Sequence, residues 1–197
     1  MTTAATKFTG TVNVLYNGSN YSTLTTSSAG KLTITASGGA QEDMILIASS
    51  GGGGTAVLST FQTDFKVWKF AKGNEFWFQG EFPHAFQEGS TITPHFHWSK
   101  TAGSGNGNVH WILYYCIYKE NSTSVTGSSD ITVATVADAG EIMHSTNFAD
   151  VPLPTFTSHP IIIHGQLSRV NDGTDTYASS IWVHSLGIHF TPNKLGT

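Results

Sequence analysis

The chain has 197 residues, of which 39% are hydrophobic and only 11% charged, and its formal net charge is −4. An average soluble protein carries roughly 25% charged residues, so uncharged Thr, Ser, Gly and Asn supply most of the polarity here. No basic run is present to bind nucleic acid, no apolar run approaches the ~20 residues of a membrane helix, and a single cysteine excludes an internal disulfide framework.

Residues 1–60 contain neither tryptophan nor proline and are rich in Thr, Ser, Ala and Gly. Strand-like runs occupy residues 11–16 and 31–35, and Asn17-Gly18 after the first run is typical of a hairpin turn. A short apolar run at residues 44–47 precedes a glycine-rich hinge at residues 51–54. We predict that this segment is a small β-module or an extended anchoring arm. Its start lacks the apolar region of a signal peptide, so we expect assembly in a cytoplasm.

Residues 61–197 hold all five tryptophans and all six prolines, and therefore most of the predicted core. Apolar residues alternate with others over many short runs, as a half-buried strand requires. No amphipathic helix of useful length is evident. About eight strands with long turns favour an all-β fold, an antiparallel jelly-roll-type β-sandwich. The strand candidates are residues 65–70, 75–82, 91–100, 109–119, 131–136, 161–170 and 181–190.

The third of these strands carries a His-x-His pair, His95 and His97. Residues i and i+2 of a strand project from the same face, so both imidazoles could meet one metal ion. Gly89 before the pair matches the opening of the cupin metal motif, but the glutamate of that motif is missing. A third ligand would have to come from elsewhere, with His189 the best candidate and His184 and His110 behind it. The alternative is that the histidines are packed and hydrogen-bonded beside Trp98 and Trp111. We favour this alternative and predict no metal site and no cofactor.

No motif for catalysis is recognisable. The chain has no nucleophile-elbow sequence, and Glu75, Glu81 and Glu88 show no spacing typical of a catalytic pair. We therefore expect a protein that is not an enzyme. The run from Asp172 to Asp175 resembles a fragment of a calcium loop without its later oxygen ligands, which favours a turn. Arg169, just before it, is expected to pair with Asp172 or Asp175 and pin this turn.

Four tryptophans are candidates for stacking on carbohydrate. Each lies in an alternating apolar run, which favours core packing over an exposed position. They are Trp77, Trp98, Trp111 and Trp182.

Several short motifs in residues 75–197 together resemble a family of tailed-bacteriophage structural proteins. The motifs are Pro94-His95-Phe96-His97-Trp98, Val109-His110-Trp111, Leu167-Ser168-Arg169, Asp175-Thr176-Tyr177 and Gly187-Ile188-His189-Phe190. The chain departs from the family pattern at Ser179-Ser180, where a Gly-Asp pair is common, and at Leu186-Gly187, where an aspartate is expected. The loss of these carboxylates weakens a metal or catalytic interpretation further.

The resemblance implies a virion protein with a jelly-roll sandwich. The leading hypothesis is a capsid decoration (cement) protein that stabilises the head. It would form a homo-oligomer such as a trimer and contact the major capsid protein or other virion proteins, without nucleic acid or membrane. A tail, neck or fibre-associated protein that contacts host glycans is the first alternative. A cupin-like metal-binding protein is the second.

Overall fold

The computed structural model of the chain describes residues 11–17, 20–26, 32–36, 41–49, 55–101, 104–119, 124–135, 141–154 and 160–192. Across these ranges the chain forms β-strands joined by turns, with no helix. The strands are β1 (Thr11–Asn17), β2 (Asn20–Thr26), β3 (Leu32–Ala36), β4 (Glu42–Ile45), β5 (Ile47–Ser49), β6 (Val57–Phe61), β7 (Phe65–Phe70), β8 (Glu75–Glu81), β9 (Thr91–Lys100), β10 (Gly107–Lys119), β11 (Val125–Thr135), β12 (His144–Asn147), β13 (Val151–Pro152), β14 (Ile161–Arg169) and β15 (Ile181–Phe190).

Two antiparallel sheets form a β-sandwich. The five-stranded sheet has the order β11-β10-β14-β8-β5. The seven-stranded sheet has the order β12-β9-β15-β7-β6, with β13 added on β9 and β4 added on β15. The prediction of an antiparallel jelly-roll-type sandwich is confirmed, and all seven strand candidates of residues 61–197 overlap observed strands.

The N-terminal segment contributes strands to both sheets of the sandwich. Strand β4 pairs with β15, and β5 pairs with β8, so the sandwich starts ahead of the boundary predicted at residue 60. The composition shift did not reveal this because the core contribution of the segment is small, mainly Met44 and Leu46. Strands β1, β2 and β3 form a separate three-stranded sheet. The predicted hinge at residues 51–54 and the turn residue Gly18 lie outside the described residues.

The core lies between the two sheets and follows from the alternation of side chains along each strand. In β10, Val109, Trp111 and Leu113 are buried, whereas the residues between them face outward. The ring of Trp111 reaches the opposite sheet, with ring centroids 5.1 Å from Phe96 and 5.2 Å from Phe70. Tilted and edge-on aromatic pairs of this kind contribute about 0.5–1.5 kcal/mol each beyond the area they bury.

Candidate functional site

The outward side of the seven-stranded sheet carries His95, His97 and His189, three of the histidines considered as metal ligands. Strands β9 and β15 are hydrogen-bonded neighbours, and their register places His95 opposite Gly187 and His189 opposite Thr93. His189 is also opposite Asp43 of β4, on the other side of β15. Three strands that are distant in sequence therefore bring two histidines and one aspartate together.

His95 and His189 stack on each other, with ring centroids 3.9 Å apart and an interplanar angle of 18°. His189 Nε2 lies 3.0 Å from Oδ1 of Asp43. One ligand atom from each of the three residues lies within 4.8 Å of the other two. We call Asp43, His95 and His189 the His-Asp cluster. The sequence-predicted association of His95 with His189 is present, but Asp43 was missed because only strand pairing reveals it.

His95 is buried on the outward side of a sheet, with 1% of its surface exposed. Neither of its ring nitrogens has a hydrogen-bond partner among the described residues. Burial lowers the pKa of His95, and the neighbouring charge of His189 lowers it further. Asp43 and a backbone contact to Thr93 raise this pKa by less, and the Thr93 contact does not reach hydrogen-bond geometry. Burial therefore favours the neutral form of the ring.

His97 does not join the cluster. Its Nδ1 is 2.8 Å from the Ser185 hydroxyl, and its ring meets that of His95 edge-on at a centroid distance of 5.2 Å. The convergence of His95 and His97 on one ion, the less favoured interpretation of the sequence, is not present, because the His97 ring is hydrogen-bonded to Ser185.

The two weaker candidates for a third ligand lie elsewhere. The Nδ1 of His110 donates a hydrogen bond of 2.8 Å to Asp172, on the five-stranded sheet. His184 Nε2 lies 2.9 Å from the Ser99 hydroxyl, and burial, followed by the charge of His97, lowers the pKa of His184. The ring of each of these two histidines is therefore hydrogen-bonded to a neighbouring side chain and lies apart from the His-Asp cluster.

The turn after β14 is built around a fully buried ion pair. Arg169 Nε and Nη2 donate to the two oxygens of Asp175 at 2.8 and 3.0 Å. Its remaining N–H groups donate to the carbonyls of Phe70, Ser179 and Tyr177, so all five guanidinium donors have acceptors. The prediction that Arg169 pins this turn is confirmed, with Asp175 as its partner.

Asp172 closes the same turn. Its Oδ1 accepts hydrogen bonds from the backbone N–H groups of Thr174 and Asp175 at 2.9 and 3.0 Å. The backbone N–H of Asp175, followed by the His110 ring, lowers the pKa of the Asp172 carboxyl. These are the contacts of a capped turn, which was the preferred prediction over a calcium loop.

Two of the four tryptophans, Trp98 and Trp111, are packed in the core as predicted. Trp182 is buried outside the core cluster, against Phe61 and Lys69. Trp77 is 46% exposed, because it occupies an outward position of β8 between the buried Phe76 and Phe78. Trp77 is therefore the one of the four with a ring available to a ligand.

Trp77 belongs to a row of side chains that crosses the outward face of the five-stranded sheet. The register aligns Tyr114 of β10 with Gln166 of β14, and Gln166 with Trp77. In the next row, Cys116 aligns with His164, and His164 with Gln79. The ring of His164 stacks on Tyr118 at a centroid distance of 5.2 Å and an angle of 14°. We call Trp77, Gln79, Tyr114, Tyr118, His164 and Gln166 the aromatic face.

No protein-family model matches the chain, and no curated protein sequence matches it. Within the described residues, no helix has the length and apolar character needed to cross a membrane.

The chain is similar in structure to several carbohydrate-binding modules. The CBM22-1 xylan-binding domain from Paenibacillus barcinonensis Xyn10C is 5% identical, with a TM-score of 0.41 over 78% of this chain and 96% of that domain. A family 16 carbohydrate-binding module-2 is 11% identical, with a TM-score of 0.32 over 68% of this chain and 82% of the module. A xylan-binding domain of CBM 22 is 9% identical, with a TM-score of 0.37 over 76% of this chain and 83% of that domain. Likeness at this level concerns the β-sandwich alone and carries no argument about a ligand.

Proposed function

We propose that the protein is a non-catalytic structural protein of a tailed-bacteriophage particle, and that its aromatic face contacts glycans of the host cell. The motifs of residues 75–197 that resemble the bacteriophage family support the proposal of a particle protein. The observation that carries the glycan contact is the alignment of Tyr114, Gln166 and Trp77 across three adjacent strands.

This row has the composition that sugar binding needs. Aromatic rings stack on the apolar faces of sugar rings, and amide side chains both donate to and accept from hydroxyl groups. Tyr114 and Trp77 are each about half exposed, and Gln166 lies between them. Neighbouring strands are about 4.8 Å apart, so the two aromatic residues, two strands apart, span about 10 Å. That distance accommodates two linked sugar rings.

The two glutamates of β8 on this face are not spaced for glycoside hydrolysis. Glu75 and Glu81 both lie in β8, six residues apart. At about 3.3 Å per residue their backbones are about 20 Å apart, well beyond the roughly 5–9.5 Å between catalytic carboxyl groups in glycosidases. These two glutamates are therefore not placed to act together as a catalytic pair.

Affinity electrophoresis tests the proposal. Native gels would contain surface polysaccharide from bacterial hosts, xylan or a β-glucan. We expect a host polysaccharide to retard the wild-type chain, and Trp77→Ala and Tyr114→Ala each to abolish most of the retardation. Phe65→Ala is the matched control, since Phe65 is an exposed aromatic residue of β7, in the other sheet. Equal migration in every gel, or equal retardation of wild type and Trp77→Ala, would contradict the proposal.

A capsid decoration protein is the second candidate, and strand β6 favours it. Val57 and Leu58 are consecutive residues of this edge strand, so their side chains point to opposite sides, yet they are 56% and 55% exposed. An edge strand that is apolar on both sides is suited to a neighbouring subunit. Particles lacking this protein should then release DNA at a lower temperature. Unchanged release, together with immunogold labelling on the tail, would exclude this role.

A further inference from the structure

The His-Asp cluster has the composition of a metal site, independently of any glycan contact. We propose that Asp43, His95 and His189 bind one divalent transition-metal ion, such as Zn²⁺. Two imidazoles and one carboxylate form a common ligand set for such ions in proteins.

His95 is the residue that carries this inference. A buried polar group without a partner destabilises the fold, and both ring nitrogens of His95 lack one among the described residues. A buried histidine that merely fills space would be expected to hydrogen-bond, as the partly buried His97 does with Ser185. A metal ion at the cluster gives one of these nitrogens a strong partner.

Gly187 creates the position that the His95 ring occupies. A Cβ at this residue would lie 2.9 Å from Cε1 and 3.1 Å from Nε2 of His95. The ring thus leans over the glycine toward β4 and β15, where His189 and Asp43 lie. This packing directs an imidazole across the sheet to the other two members of the cluster.

The distances are close to those of a metal site, and one of the two stacked imidazole rings must turn so that both point a nitrogen at the same ion. Ligand atoms about 2.1 Å from zinc are about 3.4 Å apart in a tetrahedral site. The Asp43–His189 pair is already at 3.0 Å, and the three atoms are within 4.8 Å of one another. The Asp43 side chain is 52% exposed, so it can rotate inward, and the solvent side leaves room for a fourth ligand such as water. The ion would replace the proton between His189 and Asp43.

A bound ion would link β4 to β9 across β15. We therefore expect zinc to stabilise the fold. Binding to the folded state alone, at a free zinc concentration 100 times the Kd, should raise the Tm of a chain of this size by about 5–10 °C.

The test uses the full chain, stripped with a chelator and titrated with Zn²⁺ by calorimetry, and with Co²⁺ by visible absorption. We expect one ion per chain, ligand-field bands with Co²⁺, and at least a tenfold weaker affinity in His189→Gln and in Asp43→Asn. These two residues are partly exposed, so the variants should fold, which thermal melts without metal would verify. His84→Gln, at an exposed histidine of the β8–β9 connection, is the control and should bind as the wild type does. Binding below a tenth of an ion per chain, or equal binding by wild type and His189→Gln, would overturn the proposal.

Discussion

Gly187 lies directly opposite His95 in the ladder between β15 and β9, and the imidazole ring occupies the space that a side chain at Gly187 would need. The aligned position on the next strand is Ile45 of β4. Because Gly187 in the middle strand β15 has no side chain, the His95 ring of β9 can lie over β15.

Gly187→Ala should destabilise the fold by about 1–3 kcal/mol, as overpacking of a tight site does. The new methyl group would meet the His95 ring at 2.9 Å and the carbonyl oxygen of Met44 at 3.2 Å, and the backbone carbonyl cannot rotate away. Urea unfolding measures this change. Gly173→Ala is the control, because a Cβ there meets nothing within 4 Å and the effect should stay within about 0.5 kcal/mol. Equal stability of the two variants would show that a methyl group at position 187 fits beside the His95 ring without strain.

Asp175→Asn should cost about 3–5 kcal/mol, the range for removing one partner of a buried ion pair. The change leaves the fully buried Arg169 guanidinium without its anion, although the shape of the side chain is kept. Thermal or urea unfolding measures the loss. Asp130→Asn is the comparison, since Asp130 is 79% exposed and 3.9 Å from His110, and little change is expected there. A small effect of Asp175→Asn would mean that the hydrogen bonds to carbonyls suffice to hold Arg169.

The Asp172 carboxyl should contribute to stability in a pH-dependent way. Its pKa is lowered in the folded chain below the ordinary value of 3.8, so the folded state favours the carboxylate. The contribution is complete above the ordinary pKa and is lost as the pH falls through the folded pKa. Wild type should therefore exceed Asp172→Asn in stability at pH 6 by more than at pH 2, measured by urea unfolding at both pH values. A difference that stays constant over this interval would contradict the assignment.

The sequence predicted the sandwich because several strands carry apolar residues at every second position. Strand β10 buries Val109, Trp111, Leu113 and Ile117 on one face, and β14 buries Ile161, Ile163 and Leu167, which is the period of a β-strand. Strand β12, His-Ser-Thr-Asn, was not predicted, since a polar edge strand has no apolar period to detect. It is held by pairing with β9.

The candidate sites were only partly predictable for a related reason. His95 and His97 share a face because of their spacing, but whether an imidazole meets a ligand or a serine depends on the neighbouring strand. Asp43 is about 50 residues from His95 in sequence, and only antiparallel pairing of β4 with β15 places it beside His189. Trp77 was assigned to the core because its run is apolar, although alternation gives β8 an outward face. Which face of a strand is covered is a property of the assembled sheets.

The most direct test of the central claim follows the five tryptophan indole N–H signals of the chain by NMR during titration with oligosaccharide from a polysaccharide that retards the protein. Trp77→Phe assigns the signal of Trp77. We predict that this signal shifts in a saturable way while those of the buried Trp98 and Trp111 stay in place. Saturable binding that leaves the Trp77 signal unmoved would contradict the assignment of the aromatic face as the glycan-binding surface.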